Sequence, residues 1–195
     1  MVLKPDYRGH DSSEGESSGR LLSRSEYTVD VLSLLAAIDS IPTANPNKIF
    51  MYGHSMGGDV TLQILETSPR VTAATLWAPA VALLPEQVIH FMNKNRPTPG
   101  QAEKFKTQYE TFIKQYPTSQ ISSLENISRV KVPLNIHHAT ADESVPFSWG
   151  TYLHEKLKEA GKTVTFYSYQ GDNHDIAKNF GRALSRDVEF FKSKL

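Results

Sequence analysis

The fold of this chain follows from one stretch of sequence, Gly53-His54-Ser55-Met56-Gly57-Gly58. A short apolar run at residues 48–52 precedes it and predicts a buried strand. The residues that follow it, Val60, Leu62, Ile64 and Leu65, suit a buried helix that begins near Ser55. The pattern therefore predicts a strand, a sharp turn and a helix, with a serine hydroxyl exposed at the turn.

The rest of the sequence alternates between strand and helix patterns. A short strand is expected at residues 2–5, and apolar runs predict further strands at residues 71–77, 132–138 and 164–169. Helical spacing of apolar residues predicts helices at residues 26–40, 151–160 and 176–191. This alternation predicts an α/β fold, with a mostly parallel sheet that carries helices on both faces.

At 195 residues the chain has the length of one domain, and we expect residues 1–195 to form it. Residues 80–129 interrupt the alternation, because Pro85, Pro97, Pro99, Gly100 and Pro117 divide them into short amphipathic pieces. We interpret this segment as a helical lid over the site, since long connections in α/β proteins often bind ligands. A packing appendage without a role in substrate choice is the alternative.

The predicted turn carries the chemistry of a serine nucleophile. Ser55 would project above the sheet, and the backbone N–H of Met56 would face an oxyanion that forms there. Gly53 and Gly57 would remove side chains that collide with the neighbouring strand and helix. His54 is expected to pack beside the nucleophile rather than to accept its proton.

A serine hydroxyl needs a base, and the base needs a carboxylate that orients it. Asp142 follows the strand predicted at 132–138, and His174 follows the strand predicted at 164–169. The carboxyl ends of parallel strands share one edge of the sheet, so Ser55, Asp142 and His174 are predicted to meet there as nucleophile, orienting carboxylate and general base. The rival carboxylates rank lower, as surface or capping residues: Glu143, Asp172 and Asp175.

The other histidines have less specific surroundings. His137 and His138 end a predicted strand, where a buried and hydrogen-bonded role is expected. His90 and His154 lie on helical stretches and are expected to face solvent, while His10 is expected in a loop near the site. The chain lacks cysteine and any recognisable metal-binding pattern, so we expect no metal and no cofactor.

Composition argues against several classes of partner. The chain has 21 basic and 21 acidic residues without a basic run, so nucleic acid is not an expected partner. It contains no stretch of about 20 apolar residues, so no membrane association is expected. The absence of cysteine and of a visible targeting segment makes a cytoplasmic location the expectation.

The quoted motifs resemble those of a known family, the prolyl-oligopeptidase-like and dienelactone-hydrolase-like branch of the α/β-hydrolases. Residues 4–15 resemble the strand and loop before its first central helix, and residues 53–58 resemble its nucleophile elbow. Residues 140–146 and 171–174 resemble its acid and histidine loops. The resemblance implies an α/β-hydrolase fold and a Ser-His-Asp triad, but not a substrate, because the family contains ester, lactone and peptide hydrolases.

The resemblance weakens at the N-terminus. In the family, several strands precede the segment that matches residues 1–7, and one of them ends in a His-Gly loop that supplies a second oxyanion donor. This sequence has no such segment, so a gap in the sheet is expected beside the strand at residues 48–52. Three explanations of this gap are open. The first strand shifts into it, a second chain fills it and forms a homodimer through the open edge, or the sequence is part of a longer protein.

Three functions remain after these observations. The first is a serine hydrolase that cleaves carboxylic esters of small molecules through an acyl-enzyme. The second is an oligopeptidase or aminopeptidase-like serine peptidase acting on short peptides, which rests on the resemblance alone. The third is a catalytically weak fragment, or a binding module that retains only the fold.

Overall fold

A parallel β-sheet forms the centre of the protein. The computed structural model describes residues 1–17, 23–95 and 97–195. In these ranges the sheet has four strands, which follow one another in sequence order: β1 (Ile49–His54), β2 (Val71–Trp77), β3 (Leu134–Ala139) and β4 (Val164–Tyr169). Each neighbouring pair is parallel. The predicted α/β class and the predicted positions of these strands are confirmed.

Helices connect the strands. They are α1 (Ser23–Ala37), α2 (Met56–Thr67), α3 (Glu86–Asn95), α4 (Gln101–Ile113), α5 (Ser123–Asn126), α6 (Phe147–Glu159) and α7 (Phe180–Lys192). Short 3-10 turns add Ile38–Ser40, Thr118–Gln120, Ile127–Arg129 and Ala177–Asn179. None of the helices in the described ranges is both long enough and apolar enough to span a lipid bilayer.

The sheet is covered on both faces. Successive side chains of a strand point to opposite sides, so one strand can contribute to both packing layers. On β2, the buried side chains of Ala74 and Leu76 join the main hydrophobic cluster, to which α1, α2 and α6 contribute. Thr75 and Trp77 point the other way, where their side chains donate hydrogen bonds to Asp187 of α7, both at 2.7 Å. The strand therefore contributes to two separate packing layers.

The N-terminal segment departs from the sequence prediction. Residues 2–5 form no strand, although the sequence favoured one there. A strand needs a partner for its backbone hydrogen bonds, and the described part of the chain gives β1 one neighbour, β2. The N-terminal segment packs against α1 instead, where the Tyr7 ring stacks on Tyr27 at 4.7 Å and Arg8 pairs with Asp30 at 2.6 Å. It does not fill the sheet edge beside β1.

Residues 80–95 and 97–129 contain α3, α4 and α5, with irregular segments between these helices. This segment connects β2 to β3, and its helix α3 contacts the loop that follows β3. Its action as a lid stays a prediction.

Candidate active site

Ser55 lies in a strained turn between β1 and α2. Its backbone has φ 55° and ψ −118°, in a region that side-chain-bearing residues rarely adopt. Three backbone hydrogen bonds hold this conformation: the Ser55 N–H donates to Trp77 O at 2.9 Å, and its carbonyl accepts from Gly58 and Ala80, both at 3.0 Å. Met56 follows as the first residue of α2, so its N–H belongs to the positive end of the helix.

The glycines of the turn differ in how tightly they are packed. A Cβ at Gly53 would overlap the Gly57 carbonyl and the Thr61 hydroxyl, which confirms the expected crowding. The expectation for Gly57 is wrong, because the atom nearest to a Cβ there would be the Tyr7 hydroxyl at 3.8 Å, an ordinary contact. The second crowded position is Gly58, where a Cβ would come within 2.9 Å of Pro79.

Asp142 and His174 are hydrogen-bonded to each other. His174 Nδ1 lies 2.8 Å from Asp142 Oδ2 and 3.0 Å from Asp142 Oδ1. The Asp142 side chain is fully buried, and the His174 side chain is 13% exposed. With its Nδ1 proton directed at the carboxylate, the imidazole keeps Nε2 as the atom that can accept a proton. This is the arrangement that a serine nucleophile requires of its base.

The carboxylate of Asp142 is held in its charged form. Burial alone would raise the pKa of Asp142, but hydrogen bonds from His138, His174 and the N–H groups of Val145 and Ser144 outweigh burial and keep this pKa well below its usual range. The group therefore stays ionised throughout the pH range in which an imidazole titrates.

His54 connects the serine turn to the histidine loop. Its ring centroid lies 4.5 Å from that of His174, and its Nε2 lies 3.2 Å from the His174 carbonyl oxygen. Burial lowers the pKa of His54, so the ring is neutral near pH 7. His54 thus packs where the sequence analysis expected it and brings the residue next to Ser55 into contact with the histidine loop.

The rival carboxylates have other partners. Asp172 is fully buried and accepts hydrogen bonds from the backbone N–H groups of Asn173, Lys178 and Asn179, as a capping residue does. Asp175 has a side chain that is 71% exposed. Glu143 accepts a hydrogen bond from the backbone N–H of His174 at 3.2 Å, not from its ring.

Helix α3 contacts the loop that carries Asp142, which the sequence did not indicate. His90 Nε2 lies 3.3 Å from the carbonyl oxygen of Ser144, and Lys94 Nζ contacts the carbonyl oxygen of Glu143. The His90 ring also packs against the Trp149 ring, with 5.0 Å between the centroids. The expectation that His90 faces solvent is wrong, because the docking of α3 places it against this loop. His154 is likewise half-buried.

His138 is a second residue near the site that the sequence pattern did not indicate. Its side chain is fully buried, and its Nε2 lies 3.1 Å from Asp142 Oδ2. The signal available in the sequence was a histidine four residues before the acidic residue, at the end of the same strand. The expected buried, hydrogen-bonded role is observed, and its partner belongs to the site.

A cavity of about 880 Å³ lies between residues 80–129 and the N-terminal helices. Its apolar wall includes Val88, Phe91, Met92, Phe105 and Phe112. Ser55, Asp142 and His174 do not line it. Its polar floor includes Arg24 and Gln87, which both donate to the Ala80 carbonyl, and the N–H of Ala80 bonds to the carbonyl of Ser55. A single residue, Ala80, therefore links this floor to the serine turn.

Comparisons with known proteins agree with this architecture. Alpha/beta hydrolase domain-containing protein 17B of Xenopus laevis is 25% identical over 194 residues, which are 100% of this chain and 57% of that protein. The chain thus spans little more than half the length of the curated relatives that it matches.

Solved structures of both ester and peptide hydrolases have a similar fold. A monoacylglycerol lipase from Paleococcus ferrophilus superposes with a TM-score of 0.66 and 20% identity, over 97% of this chain and 82% of that chain. A puromycin-hydrolyzing peptidase from Mycobacterium tuberculosis gives a TM-score of 0.67 and 19% identity, over 86% of this chain and 25% of that chain.

The family model described as the prolyl oligopeptidase family matches residues 1–195. This match covers the serine turn, the acid loop and the histidine loop together. The protein therefore belongs to the prolyl oligopeptidase family of serine hydrolases, which share the α/β-hydrolase fold.

Proposed function

We propose that the protein is a serine hydrolase that cleaves carboxylic esters through an acyl-enzyme. The observation that carries this proposal is the hydrogen-bonded pair of Asp142 and His174, whose loop packs against His54 beside the strained Ser55 turn. We assign Ser55 as nucleophile, His174 as general base, Asp142 as the carboxylate that orients it and the Met56 N–H as an oxyanion donor.

In the proposed reaction, Ser55 Oγ bonds to the ester carbonyl carbon while its proton passes to His174 Nε2. The resulting oxyanion is stabilised by the N–H of Met56. When the bond to the alcohol oxygen breaks, His174 returns the proton to that oxygen and the acyl group stays on Ser55. A water molecule then attacks the acyl carbon and gives a proton to His174. The bond between this carbon and Ser55 Oγ breaks, His174 returns the proton to Oγ, and the free acid leaves.

The apolar part of the cavity supports a substrate with an apolar group. Side chains of α3 and α4 form this part, among them Phe91 and Phe105, beside polar residues such as Arg24 and Asp59, and the cavity approaches the serine turn through Ala80. The structure of the lipase superposes on 97% of this chain, which includes most of residues 80–129. The structure of the peptidase superposes on 86% of it. We propose that residues 80–129 act as the lid of this substrate site.

A serine peptidase is the second candidate, and the family itself favours it. The prolyl oligopeptidase family is named for peptide cleavage, and one similar structure is a peptidase. Acyl transfer from an amide uses the same three residues, with an amine as the leaving group in place of an alcohol.

The first test is labelling of the purified protein by a fluorophosphonate probe, with Ser55→Ala as the matched control. Labelling that disappears in the variant is expected, since only an activated serine reacts. Turnover of short p-nitrophenyl esters is then compared with that of aminoacyl p-nitroanilides. Faster turnover of the anilides would favour a peptidase over an esterase. A folded protein that does not react with the probe would contradict both functions and favour a catalytically weak fragment or a binding module.

A further inference from the structure

His138 occupies an unusual position between the predicted triad and helix α6. Its Nε2 lies 3.1 Å from Asp142 Oδ2 and 3.2 Å from the carbonyl oxygen of Val145. Both of these atoms are acceptors, so Nε2 must carry the proton that they share. The carboxylate that orients His174 therefore contacts a second imidazole.

The opposite edge of the His138 ring fixes its tautomer. Nδ1 has no hydrogen-bond partner in the described part of the chain, and it faces Gly150 of α6 so closely that a Cβ at that position would overlap it. A proton on Nδ1 would be buried without an acceptor, which is unfavourable. The Phe147 ring packs against His138 in an edge-on contact, with centroids 5.5 Å apart. Packing thus keeps the protonated nitrogen directed at Asp142.

The two oxygens of Asp142 are not equivalent. Oδ1 accepts hydrogen bonds from the backbone N–H groups of Ser144 at 2.7 Å and Val145 at 2.8 Å. Oδ2 is the closer acceptor for His174 Nδ1, at 2.8 Å, and it is the atom that His138 contacts. His138 therefore acts on the same oxygen that His174 uses.

We propose that His138 is a positioning residue, which holds Asp142 Oδ2 in line with His174 and shares the negative charge of that oxygen. The inference rests on the proposed function and concerns the strength of the base rather than the identity of the substrate. Without the His138 donor, the charge on Oδ2 acts on His174 alone and stabilises its protonated form. We therefore expect the acidic limb of the pH profile of Ser55 labelling to move to higher pH when the His138 donor is removed.

In the described ranges, the other titratable and charged groups near His174 make no hydrogen bond, ion pair or ring contact with His138. His54 and Asp175 lie on the serine side of His174, and Glu143 accepts a bond from its backbone N–H. In the acid loop, His90 and Lys94 of α3 contact the backbone carbonyl oxygens of Ser144 and Glu143. A shift in the pH profile can therefore be assigned to the lost contact between His138 and Asp142.

The experiment compares His138→Leu with His138→Gln. Glutamine places an amide N–H near the position of Nε2 and retains the donor, whereas leucine removes it. The rate of fluorophosphonate labelling is measured from pH 5 to pH 9, after circular dichroism has shown that each variant is folded. For leucine we expect the acidic limb of the profile to move up by about one pH unit and the maximal rate to fall about tenfold, with glutamine within about threefold of the parent.

Two control variants distinguish the loss of the His138 contact from misfolding and from a failure of the proposed function. Gly150→Ala displaces the His138 ring without changing its chemistry. We expect this variant to move the acidic limb of the pH profile in the same direction as His138→Leu does. It therefore tests the proposal even if His138→Leu does not fold. His154→Leu changes a half-buried histidine of α6 that makes no contact with Asp142 in the described ranges, and it should leave the limb in place. Equal pH profiles for the parent, leucine and Gly150→Ala proteins would overturn the role of His138 alone, whereas a parent protein that does not label would overturn the proposed function.

A spectroscopic measurement gives a readout without turnover. The proton between His174 Nδ1 and Asp142 should give a resolved low-field proton resonance, since it lies in a short charge-assisted hydrogen bond. We expect this resonance to move in His138→Leu and to return in His138→Gln. A resonance that stays unchanged in both variants contradicts the shared charge on Oδ2.

Discussion

At the scale of single residues, the site depends on one buried carboxylate. Asp142 receives hydrogen bonds from two backbone N–H groups and contacts two imidazoles, and it receives no contact from a lysine or arginine side chain in the described ranges. In the proposed mechanism, an ionised group at this position would orient His174 in the ground state and stabilise the imidazolium that forms during acyl transfer.

Replacement of Asp142 by asparagine tests this role. The amide has almost the same shape but no charge, and it can present an N–H where His174 needs an acceptor. We expect the rate of fluorophosphonate labelling to fall by about 10³ to 10⁴-fold with little change in circular dichroism. Asp175→Asn is the matched control, because this carboxylate is exposed, and its rate should stay within about threefold. A similar loss in both variants would mean that the site uses a different carboxylate.

A second residue-scale prediction concerns Glu66 of α2. Burial, and to a lesser degree the charge of Asp59, raise the pKa of Glu66 to about 9, against an opposing effect of Arg129. Its Oε1 has no hydrogen-bond partner in the described part of the chain. The carboxyl is therefore protonated in the folded protein at neutral pH.

The sign of the pH dependence follows from this raised pKa. Between the unfolded pKa of 4.5 and the folded pKa of about 9, the unfolded chain has released the proton and the folded chain retains it, so stability falls as pH rises. Glu66→Gln removes this dependence. We expect the variant to match the parent near pH 4 and to exceed its free energy of unfolding by about 1 to 3 kcal/mol at pH 8, measured by urea unfolding. An equal difference at both pH values would contradict the assignment.

At the scale of elements, α7 is tied to the sheet through a buried acceptor. Asp187 is 3% exposed and accepts hydrogen bonds from Thr75 Oγ1 and Trp77 Nε1, both on β2. Asp187→Ala would leave these two buried donors without partners, at a cost of about 2 to 4 kcal/mol. Urea unfolding followed by Trp fluorescence measures this loss, and Asp187→Asn should recover part of it because one acceptor remains. An unchanged unfolding midpoint in the alanine variant would show that α7 is held by apolar packing alone.

The elements also show what sequence patterns can and cannot predict. Ser55, Asp142 and His174 each follow a recognisable strand, and parallel strands bring such positions to one sheet edge, so the pattern predicted them. The contacts of His90 and Lys94 depend on how α3 docks across residues far away in sequence, which a local pattern does not contain. The strand expected at residues 2–5 failed for a related reason, since a strand exists only where a neighbouring strand can pair with it.

At the scale of the whole molecule, β1 lies at an edge of the sheet that the described residues form. β1 pairs with β2 on one side, and the described residues place no strand on the other. Its sequence, Ile-Phe-Met-Tyr-Gly-His, contains no lysine, aspartate, glutamate or proline, the residues that usually protect an exposed edge from pairing. Tyr52 of β1 and three residues of α7 expose apolar side chains, and these four residues are called the apolar strip below: Tyr52, Phe180, Leu184 and Val188.

We propose that a second copy of the chain covers this edge. Antiparallel pairing of β1 with its equivalent around a two-fold axis would satisfy the free backbone groups and continue the sheet across both protomers. The strip is continuous with the edge, because the Trp77 ring lies 5.5 Å from those of both Tyr52 and Phe180. With a formal net charge of zero, two copies would approach without net repulsion.

Light scattering after size exclusion tests this assembly, with an expected mass of twice the 21.8 kDa of one chain. Leu184→Lys should yield monomers, because it places a charge in the centre of the strip that the partner would bury. Leu83→Lys is the matched control, since Leu83 is similarly exposed, at 49% against 46% for Leu184, but precedes α3 rather than lying on the strip. A parent protein that is monomeric at about 100 µM, far above the dissociation constants of stable homodimers, would mean that a second copy does not cover this edge.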